Sequence, residues 1–209
     1  MECIATESAH YAATESIVLS LALTIEARDS QTAGHCHRLA TYAVALGASL
    51  DLPQQDLDTL RRGGFLHDIG KVAVPDSILL KPGPLTDAEY SRMKQHTMIG
   101  DRLCSRLPTL ARVRTIVRSH HERMDGSGYP DGLHNAEIPL LAQIMSVVDT
   151  FDALTTVRPY KPALCDEVAY RELRNEAARG WKRPDLVERF IALAHDGRLK
   201  LAAEVAWEP

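Results

Sequence analysis

The chain has 209 residues, 45% hydrophobic and 25% charged, with 24 basic against 28 acidic side chains and a net charge of −4. That is enough for one sizeable soluble domain, and the charge balance argues against a protein that grips long nucleic acid. Four scattered cysteines without a CxxC pair give no disulfide framework and favour a reducing, cytoplasmic setting.

Residues 1 to about 12 lack a period and read as a loose tail, with one domain over 13–209. No basic start or cleavage site suggests a secretory leader. The apolar run Ile17–Ile25 is too short to span a bilayer and reads as a buried helix face. A second helix is expected from Gly34 to Leu50, with Leu39, Ala43 and Leu46 on one side. Pro53 can open a third, which carries Leu57, Leu60 and Phe65 and presents His67 and Asp68 in its last turn.

Residues 72–86 are rich in proline and glycine and read as a loop. Thr86 and Glu89 form a capping box for the next helix, which carries Tyr90, Met93, His96 and Met98. A helix from about Leu110 to His121 precedes MDGSGYPDGL, whose turn residues forbid regular helix. Ile138–Thr156 is long and apolar, with Pro139 suited to a first turn, and two shorter helices, Glu167–Ala178 and one from Pro184, finish the chain. Strand patterns are scarce. The expected fold is all-α and compact, with about seven to nine helices and an irregular loop.

Among nine histidines, position matters more than number. His67-Asp68 and His120-His121 are adjacent pairs. Asp149 sits in an apolar run, where a charge needs compensation. With His35 and His96 they make seven neutral-imidazole or carboxylate groups, ligands suited to Fe, Mn or Zn. Seven exceed the needs of one four-coordinate ion and suit two ions sharing a carboxylate. Taken singly, each has a plain reading: His96 a core residue, Lys71 a helix-end charge, Arg158 and Lys161 surface charges, Tyr129 a packing residue. His37, two residues from His35, faces another way on a helix. His10, His134 and His195 read as surface residues.

His35, His67-Asp68 and Asp149 resemble the H…HD…D pattern of the HD superfamily. HHERMDGSGYP, residues 120–130, matches the signature of its HD-GYP branch without a gap. HDIGK (67–71), His96 and FDALTTVRPYK (151–161) are similar to that branch too. The resemblance covers about residues 15 to 195. It implies a phosphodiesterase that cuts cyclic di-GMP to pGpG, and in some members to GMP, by attack of a metal-bridging hydroxide. It implies that His35, His67, Asp68 and Asp149 hold one metal, and that Asp68 bridges to a second held by His96, His120 and His121. Fe or Mn is the first expectation, with Ni, Zn and Co as alternatives. Asp68 and Lys71 become the catalytic pair, and Lys71, Arg158, Lys161, Tyr129 and Asp152 the substrate contacts. Some members place a glutamate for a third metal where this chain has Gln31, a poor ligand, so two metals are expected.

The alternative is a non-hydrolytic cyclic-dinucleotide receptor, or an interaction module for a diguanylate cyclase. A third reading keeps hydrolysis and changes the nucleotide. The family also implies partners: a diguanylate cyclase or regulatory domain in trans, or a second copy through the N-terminal helix. A membrane partner is not expected.

Overall fold

Apolar residues three and four apart recur along most of the chain, and the backbone follows them into helices. The computed structural model describes residues 2–29, 34–157 and 162–199. Among the described residues there are ten α-helices and no named strand. They are α1 (Glu2–Arg28), α2 (His35–Ser49), α3 (Gln54–Leu66), α4 (Asp76–Leu79), α5 (Asp87–Lys94), α6 (His96–Cys104), α7 (Arg114–Ser119), α8 (Leu140–Thr155), α9 (Asp166–Ala178) and α10 (Pro184–His195). Short 3-10 turns lie at Ile69–Ala73, Pro108–Leu110 and Asn135–Glu137. The all-α expectation holds, and no described helix is long and apolar enough to cross a membrane.

Several elements differ from their expected outlines. The segment 1–12, read as a tail, is helical from Glu2 onward; it contains no proline or glycine to stop a helix. The apolar run of α1 is not one buried face. Ala22 and Ile25 are buried, but Ile17 is 69% exposed and Leu21 is 43% exposed, because α1 rests on the core along the stripe through Val18, Ala22 and Ile25. The expected loop 72–86 contains the single turn α4, opened by Pro75. The helix expected through Tyr90 and Met98 breaks at Gln95 into α5 and α6. The capping box at its start forms as expected, with Thr86 and Glu89 each accepting the other's backbone N–H.

Two apolar clusters hold these helices. One joins α2, α3, α7, α8, α9 and α10 through Leu46, Leu60, Ile116, Met145, Leu173 and Phe190. The other lies between α1, the start of α2, the end of α3, α6 and α7, through Ile25, Cys36, Phe65, Leu66, Cys104 and Val117. Fully burying such a side chain contributes about 1.5–3 kcal/mol. Ile116 points into the first cluster and its neighbour Val117 into the second, so α7 lies along the seam. The histidines sit at that seam, on helix ends that both clusters fix.

Two glycines bring the seam together. A Cβ on Gly64 would meet the Ala40 backbone N at 2.5 Å, so α3 can lie directly on α2. A Cβ on Gly70 would sit 1.9 Å from the His96 carbonyl oxygen, so the 3-10 turn after Asp68 can seat on the start of α6. These contacts place His35, Asp68 and His96 near one another.

Candidate metal centre

Asp68 is the middle of the site. Its Oδ1 is 3.2 Å from His96 Nε2 and 3.9 Å from His120 Nε2. Its Oδ2 is 3.2 Å from His67 Nε2 and 2.8 Å from Lys71 Nζ. Two ligand sets result, each with its donor atoms within 4.8 Å of one another: Asp68, His96, His120 and His121, and His35, His67 and Asp68. Asp68 belongs to both. Asp149 stands at the rim of the second set, with Oδ1 3.8 Å from His35 Nε2.

Four of the imidazoles, those of His35, His67, His96 and His120, are turned so that their Nε2 atoms face inward. Nδ1 of His67 lies 3.0 Å from Gly64 O, that of His96 2.8 Å from Met93 O, and that of His120 3.1 Å from both Ile116 O and Val117 O. A carbonyl can only accept, so Nδ1 carries a proton and Nε2 is the atom left to meet a cation. His35 Nδ1 donates to Asp152 Oδ2 at 2.7 Å instead. A backbone carbonyl or carboxylate behind each ring is how metal-ligating histidines are held.

Those inward atoms lack partners. His67 Nε2, Asp68 Oδ1, His96 Nε2 and His120 Nε2 are buried without a hydrogen bond. Each such group costs roughly 1–3 kcal/mol, and four around one point are hard to account for unless something binds there. A divalent cation fits the donor set in type and direction.

The charges agree. Burial, aided by the neighbouring His67, drives the His120 pKa down to about 3, so its ring is a neutral donor. Burial also lowers His121. Burial opposes the Asp68 carboxylate, but Lys71 and His67 outweigh it and hold its pKa well below the usual range. For His67 burial pulls downward, yet Asp68 prevails and lifts it to about 9, so a cation bound at its Nε2 would have to displace a proton. Burial would discharge Lys71, but Asp68 and Asp29 keep it protonated.

Residues 20–185 match the sequence model of the HD domain family. The chain belongs to the HD domain family. Over 170 residues this HD domain is 41% identical to a cyclic di-GMP phosphodiesterase of Thermotoga maritima, covering 80% of the chain and 46% of that protein. It is 37% identical over 179 residues to a 3'3'-cGAMP-specific phosphodiesterase of Vibrio cholerae, covering 85% and 34%. It therefore spans less than half the length of these relatives. A solved cyclic GMP-AMP-specific phosphodiesterase from Vibrio cholerae superposes with a TM-score of 0.72 at 18% identity, covering 92% of this chain and 51% of that one. The last likeness is one of fold, and the expected HD-GYP resemblance stands.

The loop after the histidine pair forms a firm wall of the HD domain's site. A Cβ on Gly128 would meet the Arg123 backbone N at 2.3 Å, so the loop folds onto its own root. Buried Glu122 accepts from the backbone N–H of Asp131 at 2.7 Å and of Leu133 at 3.1 Å. Arg118 closes the far side with two 2.7 Å bonds to Asp131. The loop thereby sets the Tyr129 ring 4.8 Å from the His121 ring.

Six expected ligands and Lys71 come together here, and Asp149 and Tyr129 lie alongside. Asp152 stands behind His35, with both carboxylate oxygens engaged by His35 and Arg38. This geometry orients the His35 ring. Gln31, Arg158 and Lys161 lie outside the described residues. Sequence reasoning missed Asp29, whose Oδ2 is 2.5 Å from Lys71 Nζ, as well as Arg38 and Glu122. Arg38 follows His35 by three residues, one helical turn, which could have suggested a shared role. Asp29 carried no comparable signal.

Proposed function

We propose that this HD domain is a metal-dependent phosphodiesterase that hydrolyses cyclic di-GMP to pGpG, with GMP as the product of a second cut. One observation carries the reading: ligand atoms from four separate stretches of chain meet around Asp68, with Asp149 at the rim and a protonated lysine among them. The 41% identical relative named a cyclic di-GMP phosphodiesterase supports the substrate, and the 37% identical cGAMP-specific relative supports the wider class of 3'3' cyclic dinucleotides.

His35, His67, Asp68 and Asp149 would hold one cation, and Asp68, His96, His120 and His121 the other. We propose two ions because Gln31 offers no anionic ligand for a third, and iron or manganese because the donors mix imidazole with carboxylate. Bound there, the ions would supply a water of lowered pKa and neutralise charge on the phosphoryl oxygen. Lys71 places its ammonium against the scissile phosphate, Asp152 keeps the His35 ring aligned, and the Tyr129 phenol stays protonated by burial and can donate. Arg158 and Lys161 would contact phosphate as a planar fork and a point charge. The reducing cytoplasm suits an iron site of this kind.

The test is product analysis with cyclic di-GMP under anaerobic Fe(II) and under Mn(II). The protein should release pGpG or GMP. His67→Ala should lose both metal and turnover. Lys71→Ala should keep its metal and slow by about 10²–10³, the usual cost of losing one charge-stabilising donor. No product with either metal would defeat the reading.

A further inference from the structure

The cavity beside the centre continues past the metal ligands. His120, His121 and Asp149 line it together with Glu176 and Lys182. Its volume is about 270 Å³, below the ~300–1,000 Å³ that encloses a drug-sized ligand. It has room for one base of a cyclic dinucleotide, not for the whole molecule.

Lys182 is 7% exposed. A buried ammonium is costly unless its charge and its N–H groups are met. Its Nζ donates to Ser146 O and Ser146 Oγ, both at 2.8 Å, and lies 3.4 Å from Glu176 Oε2. The Glu176 side chain is 19% exposed, so its carboxylate can take further donors beside Lys182. The hydrolysis uses neither residue. A pair that only tied α8 to α9 would have no need to open on the cavity that holds the histidines.

The pair offers a cationic donor beside a partly exposed carboxylate. Guanine presents the complement on one edge: the O6 acceptor next to N1–H and N2–H donors, which together satisfy a carboxylate. Adenine offers a single donor group there and leaves one oxygen unmet. Flat surfaces flank the space. The Arg123 guanidinium lies 3.6 Å from the Trp181 ring centroid, and the Tyr129 ring also lines the cavity. Bases stack on both kinds of plane.

We propose that this cavity is a guanine subsite, in which Glu176 accepts from N1–H and N2–H, Lys182 donates to O6, and Arg123 stacks on the base. The assignment rests on the hydrolase reading for the kind of substrate. It admits cyclic dinucleotides with at least one guanine and disfavours cyclic di-AMP.

Equilibrium dialysis of GMP and of AMP against the full metal-loaded chain tests it. GMP should bind about tenfold or more tighter than AMP, the discrimination of one two-bond base contact. Glu176→Gln, nearly the same shape, should weaken GMP alone and bring the two within about threefold; unchanged AMP binding shows that the variant is folded. Equal wild-type affinities, or a guanine preference that survives Glu176→Gln, would overturn the subsite. Turnover of cyclic di-GMP on the same preparation is a separate readout. Guanine preference without turnover keeps the subsite and defeats the hydrolase reading, and turnover without preference defeats the subsite alone.

Discussion

Lys71 shows how a single charge is kept where it is least comfortable. Its ammonium has two anionic partners, Asp68 at 2.8 Å and Asp29 at 2.5 Å. Once Asp68 gives its oxygens to cations, Asp29 is the partner that remains. Like charges 4 Å apart repel by about 4 kcal/mol at an effective dielectric of 20, so an unanchored lysine would swing away from a cation bound at Asp68. Asp29 acts through Lys71 and is a positioning residue. Asp29→Asn should therefore retain its metal, lower kcat by about 10–100-fold, and change KM less. Metal analysis beside steady-state kinetics checks this, and a variant with wild-type kcat would show that Lys71 holds its place without Asp29. The sequence could not disclose this pair. Asp29 is one acidic residue at the end of an apolar helix, and its partner lies 42 residues away.

At the scale of elements, the ligands gather at helix ends. His35 and His96 open α2 and α6, His67-Asp68 and His120-His121 follow the last residues of α3 and α7, and only Asp149 lies within a helix. Where a helix stops, the chain turns and neighbouring side chains can point to a common centre. A regular helix would send His67 and Asp68 about 100° apart. The sequence placed that pair in a helical last turn, which was close, because Leu57, Leu60 and Phe65 mark the helix plainly. The switch to a 3-10 turn was not legible, because it depends on the contact between Gly70 and α6. Gly70→Ala probes that contact. The added methyl would need space held by His96 O at 1.9 Å and Gly100 N at 2.6 Å, both backbone atoms. The turn and α6 must separate, which should destabilise the fold by about 1–3 kcal/mol and draw His96 away from Asp68. Denaturant unfolding should show the first effect and a reduced metal content the second. Full metal loading would mean that the turn can shift without parting the two ligands.

Across the whole molecule, a candidate metal centre was readable and its construction was not. Seven imidazole and carboxylate groups in order along the chain suggested the chemistry, because adjacent His-Asp and His-His pairs and an acid within an apolar run are unusual. What the order could not show was that Asp68 faces both sets, that Asp149 stands at the rim, or that Asp152 backs His35. Those facts depend on how α2, α3 and α8 pack. The same packing couples metal to stability. The donors come from α2, the turns after α3 and α7, α6 and α8, and no two of these are adjacent in an unfolded chain. A ligand that binds only the folded state adds about 2.7 kcal/mol when present at 100 times its Kd. For a domain of this size each kcal/mol moves Tm by about 2–4 °C. Chelation should thus lower Tm by roughly 5–11 °C, and restoring Mn(II) should recover it. His67→Ala, which removes one of the buried unpartnered donors, should melt at a temperature that responds far less to chelator. If the wild-type protein melted identically with and without metal, the inward-facing histidines would be a strained feature of the fold, not a binding site.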